Sequence, residues 1–149
     1  MGYGYGVWLK IRDPLINSLT KHTPHVTLMC NMNKIEATAL YTNLKLKYGE
    51  DYRVYINGLC QHFKDSYGDE DILKACGYYC EIENFKMINK ICLNYRGVIP
   101  DHPHISTDYT NLHMDNLTLI SISPLTDDSL LSLVDINSDN PKEWKILDF

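Results

Sequence analysis

Pro24-His25-Val26-Thr27-Leu28-Met29-Cys30 places an imidazole and a hydroxyl at the start of an apolar run, and Pro103-His104-Ile105-Ser106 repeats the same order of Pro, His, β-branched aliphatic and hydroxyl residue. The two copies lie 79 positions apart, counting from His25 to His104. Both read as strand starts. In a strand the side chains at i and i+2 share a face, so each copy presents its histidine beside its hydroxyl and turns Val26 or Ile105 towards a core. If two halves of the fold mirror one another, the two pairs face each other across a cleft.

The segments around these copies set the fold class. Val7 to Ile11 alternates as a first strand, and Asp13-Pro14 opens a turn and a short helical or loop stretch up to Lys21. Asn33 is an N-cap candidate with Glu36 three residues on, and Ile35, Ala39, Leu40 and Leu44 recur at helical spacing up to Gly49. Tyr52–Ile56 and Leu59–Lys64 flank Asn57-Gly58, which predicts a hairpin. Gly77 to Ile82 reads as a strand. Asn84 then caps a helix whose face carries Phe85, Ile88, Ile91 and Cys92, and Arg96-Gly97 closes it. Further strands are expected at His104–Thr107, Leu117–Ile122, Leu130–Ile136 and Trp144–Leu147, with polar turns at Gly68–Asp71 and Asp127-Asp128. Few helices among many strands, with a hairpin in the middle, predict an α+β domain on antiparallel sheet rather than a parallel doubly wound one.

Composition narrows the function classes. The chain has 149 residues with 44% hydrophobic and 22% charged, enough for one compact domain over 1–149, and it carries no long apolar run for a membrane span. Fourteen basic against nineteen acidic residues gives a net charge of −5, so no basic field is present to grip duplex nucleic acid. A short anionic ligand held by a few placed groups remains compatible with this charge. Five cysteines with no CxxC pair, and no signal-peptide pattern, point to buried thiols in a reducing, cytoplasmic compartment. A complete small protein and a domain excised from a longer polypeptide read alike here.

The repeated motif suits phosphodiester cleavage, which needs a base for the attacking oxygen, an acid for the leaving oxygen and donors for the nonbridging oxygens. Two imidazoles that titrate near pH ~6.5 when unperturbed can share the proton transfers, each worth roughly 100-fold to 10,000-fold. Thr27 and Ser106 can donate to phosphate oxygens. No metal or other cofactor is needed by this set, and the doublets His22-x-x-His25 and His102-x-His104 lack the third ligand of a catalytic metal site.

His25-Val26-Thr27 and His104-Ile105-Ser106 resemble the paired His-x-Thr/Ser motifs of the 2H phosphoesterase superfamily. Length and motif separation are most similar to the viral 2′,5′-phosphodiesterases, among them the C-terminal domain of the rotavirus capping enzyme and related coronavirus and torovirus domains. The resemblance implies two pseudo-symmetric antiparallel lobes with outer helices around a central cleft. It also implies metal-independent cleavage of 2′,5′-oligoadenylate in the host cytoplasm, which would antagonise ribonuclease L. The substrate's 3′-hydroxyl would attack the 2′,5′-phosphate, with His25 and His104 as base and acid in an order the sequence leaves open. An isolated domain of this kind is expected to be a monomer.

The adenine-binding residues are less legible. Bases stack on aromatic faces for roughly 1–3 kcal/mol each, and Tyr109, Tyr5 and Trp8 are the ring candidates, with Lys21 and Arg96 as phosphate partners near the two motifs. Two alternatives stand beside the leading reading: a 2H enzyme for 2′,3′-cyclic phosphate RNA ends or cyclic dinucleotides, and a non-catalytic nucleotide-binding domain.

Overall fold

The computed structural model describes residues 3–20, 22–56, 61–64, 74–108, 123–124, 129–138 and 140–147. Its sheet is assembled around the two motif segments. The first copy opens strand β2 (His25–Met32) and the second opens strand β7 (His104–Asp108), and these two strands pair antiparallel. Outward from β2 lie β1 (Tyr5–Lys10), β9 (Ser129–Asp135) and β10 (Lys145–Leu147). Outward from β7 lie β6 (Lys74–Ile82), β4 (Val54–Ile56) and β8 (Ser123–Pro124). The short strands β3 (Asp51–Tyr52) and β5 (Gln61–Lys64) attach to β9 and β6. All pairings among the described residues are antiparallel, and three helices accompany them, α1 (Pro14–Leu19), α2 (Lys34–Tyr48) and α3 (Phe85–Cys92). The architecture is α+β on antiparallel sheet.

The sheet is amphipathic in an unusual sense, because both faces are covered near β1 and β2. Val7, Leu9, Val26, Ile105, Leu131 and Leu133 pack on one side against Ala37, Leu40 and Leu44 of α2 and Ile88, Ile91 and Cys92 of α3. The opposite side carries a smaller cluster of Tyr3, Trp8, Cys30, Val134 and Ile136, closed by Trp144. A bulge in β2 feeds both. Val7 lies opposite Met29 and Trp8 opposite Thr27, so Leu28 is the extra residue, and Leu28 and Met29 in succession enter the helix-side core.

Three local expectations are corrected. First, β4 and β5 do not pair as a hairpin around Asn57-Gly58. Each pairs with β6, β4 at Cys80–Ile82 and β5 at Lys74–Gly77, because this nine-residue strand offers one long edge that both can join. Asn57-Gly58 itself lies outside the described residues, as do Gly68–Asp71, Leu117–Ile122 and Asp127-Asp128. Second, α2 buries Ala37, Leu40 and Leu44, while Ile35 is 82% exposed and Ala39 is exposed too. Several apolar stripes are available at helical spacing, and the docking of α2 on β1 and β9 selects the one through Leu40. Its caps do follow expectation: Asn33 Oδ1 accepts from Glu36 N at 2.8 Å, and Gly49 ends the helix at φ 83°. Third, Asn84 makes no side-chain cap. It sits in the left-handed region at φ 65°, which Asn tolerates, and turns the chain from β6 directly into α3; that helix ends at Cys92, before Arg96-Gly97.

Cys30, Cys80 and Cys92 are buried thiols outside any disulfide, and burial pushes the Cys92 thiol up to about 12 and raises that of Cys80 as well. Among the described residues no helix is long and apolar enough to cross a membrane.

Candidate functional site

Val26 lies directly opposite Ile105 across the β2–β7 pairing, and both are fully buried on the helix side. One residue either way, the same register sets His25 across from Ser106 and Thr27 across from His104. All four polar side chains therefore project from the face that the helices leave uncovered. His25 and Ser106 are 4% and 3% exposed, whereas Thr27 and His104 are half-buried. The two motif copies are neighbours on adjacent strands.

Each imidazole is oriented in the same way. His25 Nδ1 lies 2.8 Å from the Thr23 carbonyl, and His104 Nδ1 lies 2.8 Å from the His102 carbonyl. A carbonyl can only accept, so Nδ1 carries the proton in both rings. The repeat thus extends beyond the tetrapeptide, because in each copy the backbone two residues upstream fixes the tautomer.

The surroundings of the two rings differ. His25 stacks flat on Trp8, with ring centroids 3.5 Å apart and planes 6° from parallel, and Trp144 meets it edge-on at 5.8 Å. Trp8 is brought there by the β1–β2 pairing, in which it stands opposite Thr27. Burial pushes the His25 pKa down to about 3, against which the Thr23 hydrogen bond acts, and the nearby His22 and His104 lower it further. His25 is thereby kept neutral. The space enclosed by Tyr3, Trp8, His25, Thr27 and Trp144 is only about 10 Å³, at the limit of one water molecule. That cavity beside the imidazole is itself too small for a ligand.

This packing revises one other expected contact, that of Trp8. Trp8 is 1% exposed and gives its face to His25, so it backs the imidazole and is not a platform for a base. Tyr5 packs against the helix-side core. Arg96 is exposed on the turn after α3. Lys21 and Tyr109 lie outside the described residues. No family model matches the chain, and a search of curated protein sequences finds no match. Among the described residues no group of three His, Cys, Asp or Glu side chains has the arrangement of a metal site.

Residues not flagged by the sequence complete the site. Trp144 is fixed by its Nε1, which donates to the Ser138 carbonyl at 2.7 Å, and it touches Tyr3, Trp8, His22 and His25. Its position at the start of an alternating run gave no sign of this role. Gly77 pairs with Ser106, and a Cβ there would collide with the Ile105 carbonyl, so glycine is what lets β6 approach the second motif closely.

Two open grooves flank the motif pairs. One, of about 530 Å³, runs past Lys10, His22, Thr23, Pro24 and Lys142 into the first copy. The other, of about 950 Å³, is lined by Tyr79, Glu81, Phe85, Met87, His102 and Pro103 and leads into the second.

Proposed function

We propose that this domain is a 2H-type phosphodiesterase that cleaves 2′,5′-linked oligoadenylate without a metal ion. The observation that carries the reading is the β2–β7 register, which sets His25, Thr27, His104 and Ser106 on one face with both Nδ1 atoms engaged by carbonyls. On this reading β10-β9-β1-β2 and β7-β6-β4-β8 are the two lobes of the 2H fold, meeting at the motif strands.

The roles follow from the environment of His25. His25, buried and neutral, has a lone pair on Nε2 and takes the proton from the ribose 3′-hydroxyl. The 3′-oxygen attacks phosphorus, the bond to the 5′-oxygen breaks, and a 2′,3′-cyclic phosphate forms. His104, the other member of the pair, donates a proton from Nε2 to the departing 5′-oxygen. Thr27 and Ser106 donate to the nonbridging oxygens, where charge builds up.

The test is incubation of the protein with 2′,5′- and 3′,5′-linked adenylate oligomers in EDTA, with chromatographic analysis of products. A 2′,3′-cyclic phosphate from the 2′,5′-linked oligomer is the expected result. An intact 2′,5′ oligomer after long incubation rules the reading out.

A further inference from the structure

We infer that the groove through Lys10, Asn17, Thr20, His22, Thr23 and Lys142 binds a second phosphate of the substrate, next to the one being cleaved. The inference rests on the phosphodiesterase reading and makes it narrower: the preferred substrate carries at least two phosphates, and the extra one lies on the β1 side of His25.

The position of the groove is the first support. Lys10 stands directly opposite His25 in the β1–β2 pairing, so its side chain leaves the sheet on the face that carries the motif residues. His22 lines the groove, and its ring lies 6.0 Å from the ring of His25. A chain of linked nucleotides held at His25 therefore meets this groove next.

Charge is the second support. Arg12 and Lys45 are engaged by Asp51 at 2.8 Å and Glu50 at 2.9 Å, but no carboxylate among the described residues forms an ion pair with Lys10 or Lys142. These two amines face a groove whose other polar members, Asn17, Thr20 and Thr23, supply amide and hydroxyl groups. Among the described residues that line it there is no acid. The opposite groove, beside His102 and Pro103, instead balances one acid, Glu81, with one cation, Lys86, and adds the rings of Tyr79 and Phe85, so it offers no net positive charge to a phosphate and two aromatic faces to a base. On a protein of net charge −5, such a local pair of cations is where an additional anion gains most.

Affinity separates this inference from the reading beneath it. The full chain bearing His104→Ala is titrated with three 2′,5′-linked adenylate probes: a dimer with a 5′-hydroxyl, the same dimer with a 5′-phosphate, and a trimer with a 5′-hydroxyl. A second phosphate is expected to tighten binding roughly three- to tenfold, as one or two partly exposed ionic contacts would. The gain should shrink with added salt, disappear in Lys10→Gln/Lys142→Gln and persist in Lys10→Arg/Lys142→Arg. A gain with the phosphorylated dimer alone places a terminal monoester in the groove, and a gain with the trimer alone places an internal diester there. Equal binding of one- and two-phosphate probes, a gain that survives the double Gln variant, or no binding of any probe overturns the inference. Discrimination among probes by a protein whose wild type cleaves none of them overturns the phosphodiesterase reading and leaves the groove assignment standing.

Discussion

The two copies of the motif have the same residue types in the same order and the same Nδ1 hydrogen bond to the carbonyl two residues upstream, yet they are held by different surroundings. The first copy is the more enclosed: His25 lies flat on Trp8 and is flanked edge-on by Trp144. The second is half open: His104 stands opposite Tyr79, whose ring packs on His102 at the mouth of a large groove. The difference lies in what the neighbouring strands bring. Strand β1 supplies an indole against the first imidazole, whereas β6 supplies Gly77 and a half-buried tyrosine beside the second. Closely similar local chemistry is thus held as a neutral imidazole in the first copy by burial that the second does not share.

The most severe way to break this comparison is to remove either imidazole. His25→Ala and His104→Ala should each lower kcat about 100-fold to 10,000-fold on 2′,5′-linked adenylate. Steady-state kinetics decides this, and retention of full rate by either variant would show that the copies do not act together.

Trp8→Ala removes the platform beneath His25 only. A loss of about 3–5 kcal/mol in unfolding free energy is expected for deleting a buried indole, read by chemical denaturation. The acid limb of kcat/KM should also move up towards the ordinary imidazole range as water reaches the ring. An unchanged limb would mean that stacking on Trp8 does not set the protonation state of His25.

Acid should act through the first copy. Its folded-state pKa is lowered from 6.5 to about 3, so between those values the unfolded chain takes up a proton that the folded protein refuses. Stability contributed here is therefore full above pH 6.5 and is lost as pH falls towards 3. His25→Gln should flatten that part of the stability curve. If wild type and variant lose stability in parallel over this window, His25 is not the group responsible.

Gly77→Ala strikes the second copy alone. The added methyl meets the Ile105 carbonyl, and overpacking of this kind costs roughly 1–3 kcal/mol. The expected signature is loss of amide protection in β6 and β7 with β1 and β9 unaffected, measured by hydrogen exchange. The smallest effect is expected for Ile35→Gln on the outer face of α2, within about 0.5 kcal/mol, because that side chain is 82% exposed.

Much of the scaffold was legible. Alternation marked β2, β7 and β9, and Asn33 with Gly49 bracketed α2 correctly, since capping and pleating act over a few residues. Elements that depended on distant partners were not legible. Asn57-Gly58 is a hairpin signal only if the flanking strands have nothing better to pair with, and here β6 outcompetes. Ile35 and Ala39 fit a helical stripe as well as Leu40 does, and only the sheet beneath α2 chooses between them.

For the site, the sequence by itself determined the chemical groups and their local pose: a histidine two positions from a hydroxyl at a strand start, twice over, because strand periodicity fixes which side chains share a face. The tertiary structure alone decided that β2 and β7 are neighbours, that Trp8 lies under His25 with Trp144 at its edge, and that Lys10 and Lys142 line one groove. Those relations join residues far apart in the chain. They arise from strand order, register and the exclusion of water from one imidazole, and none of these is written in any local run of residues.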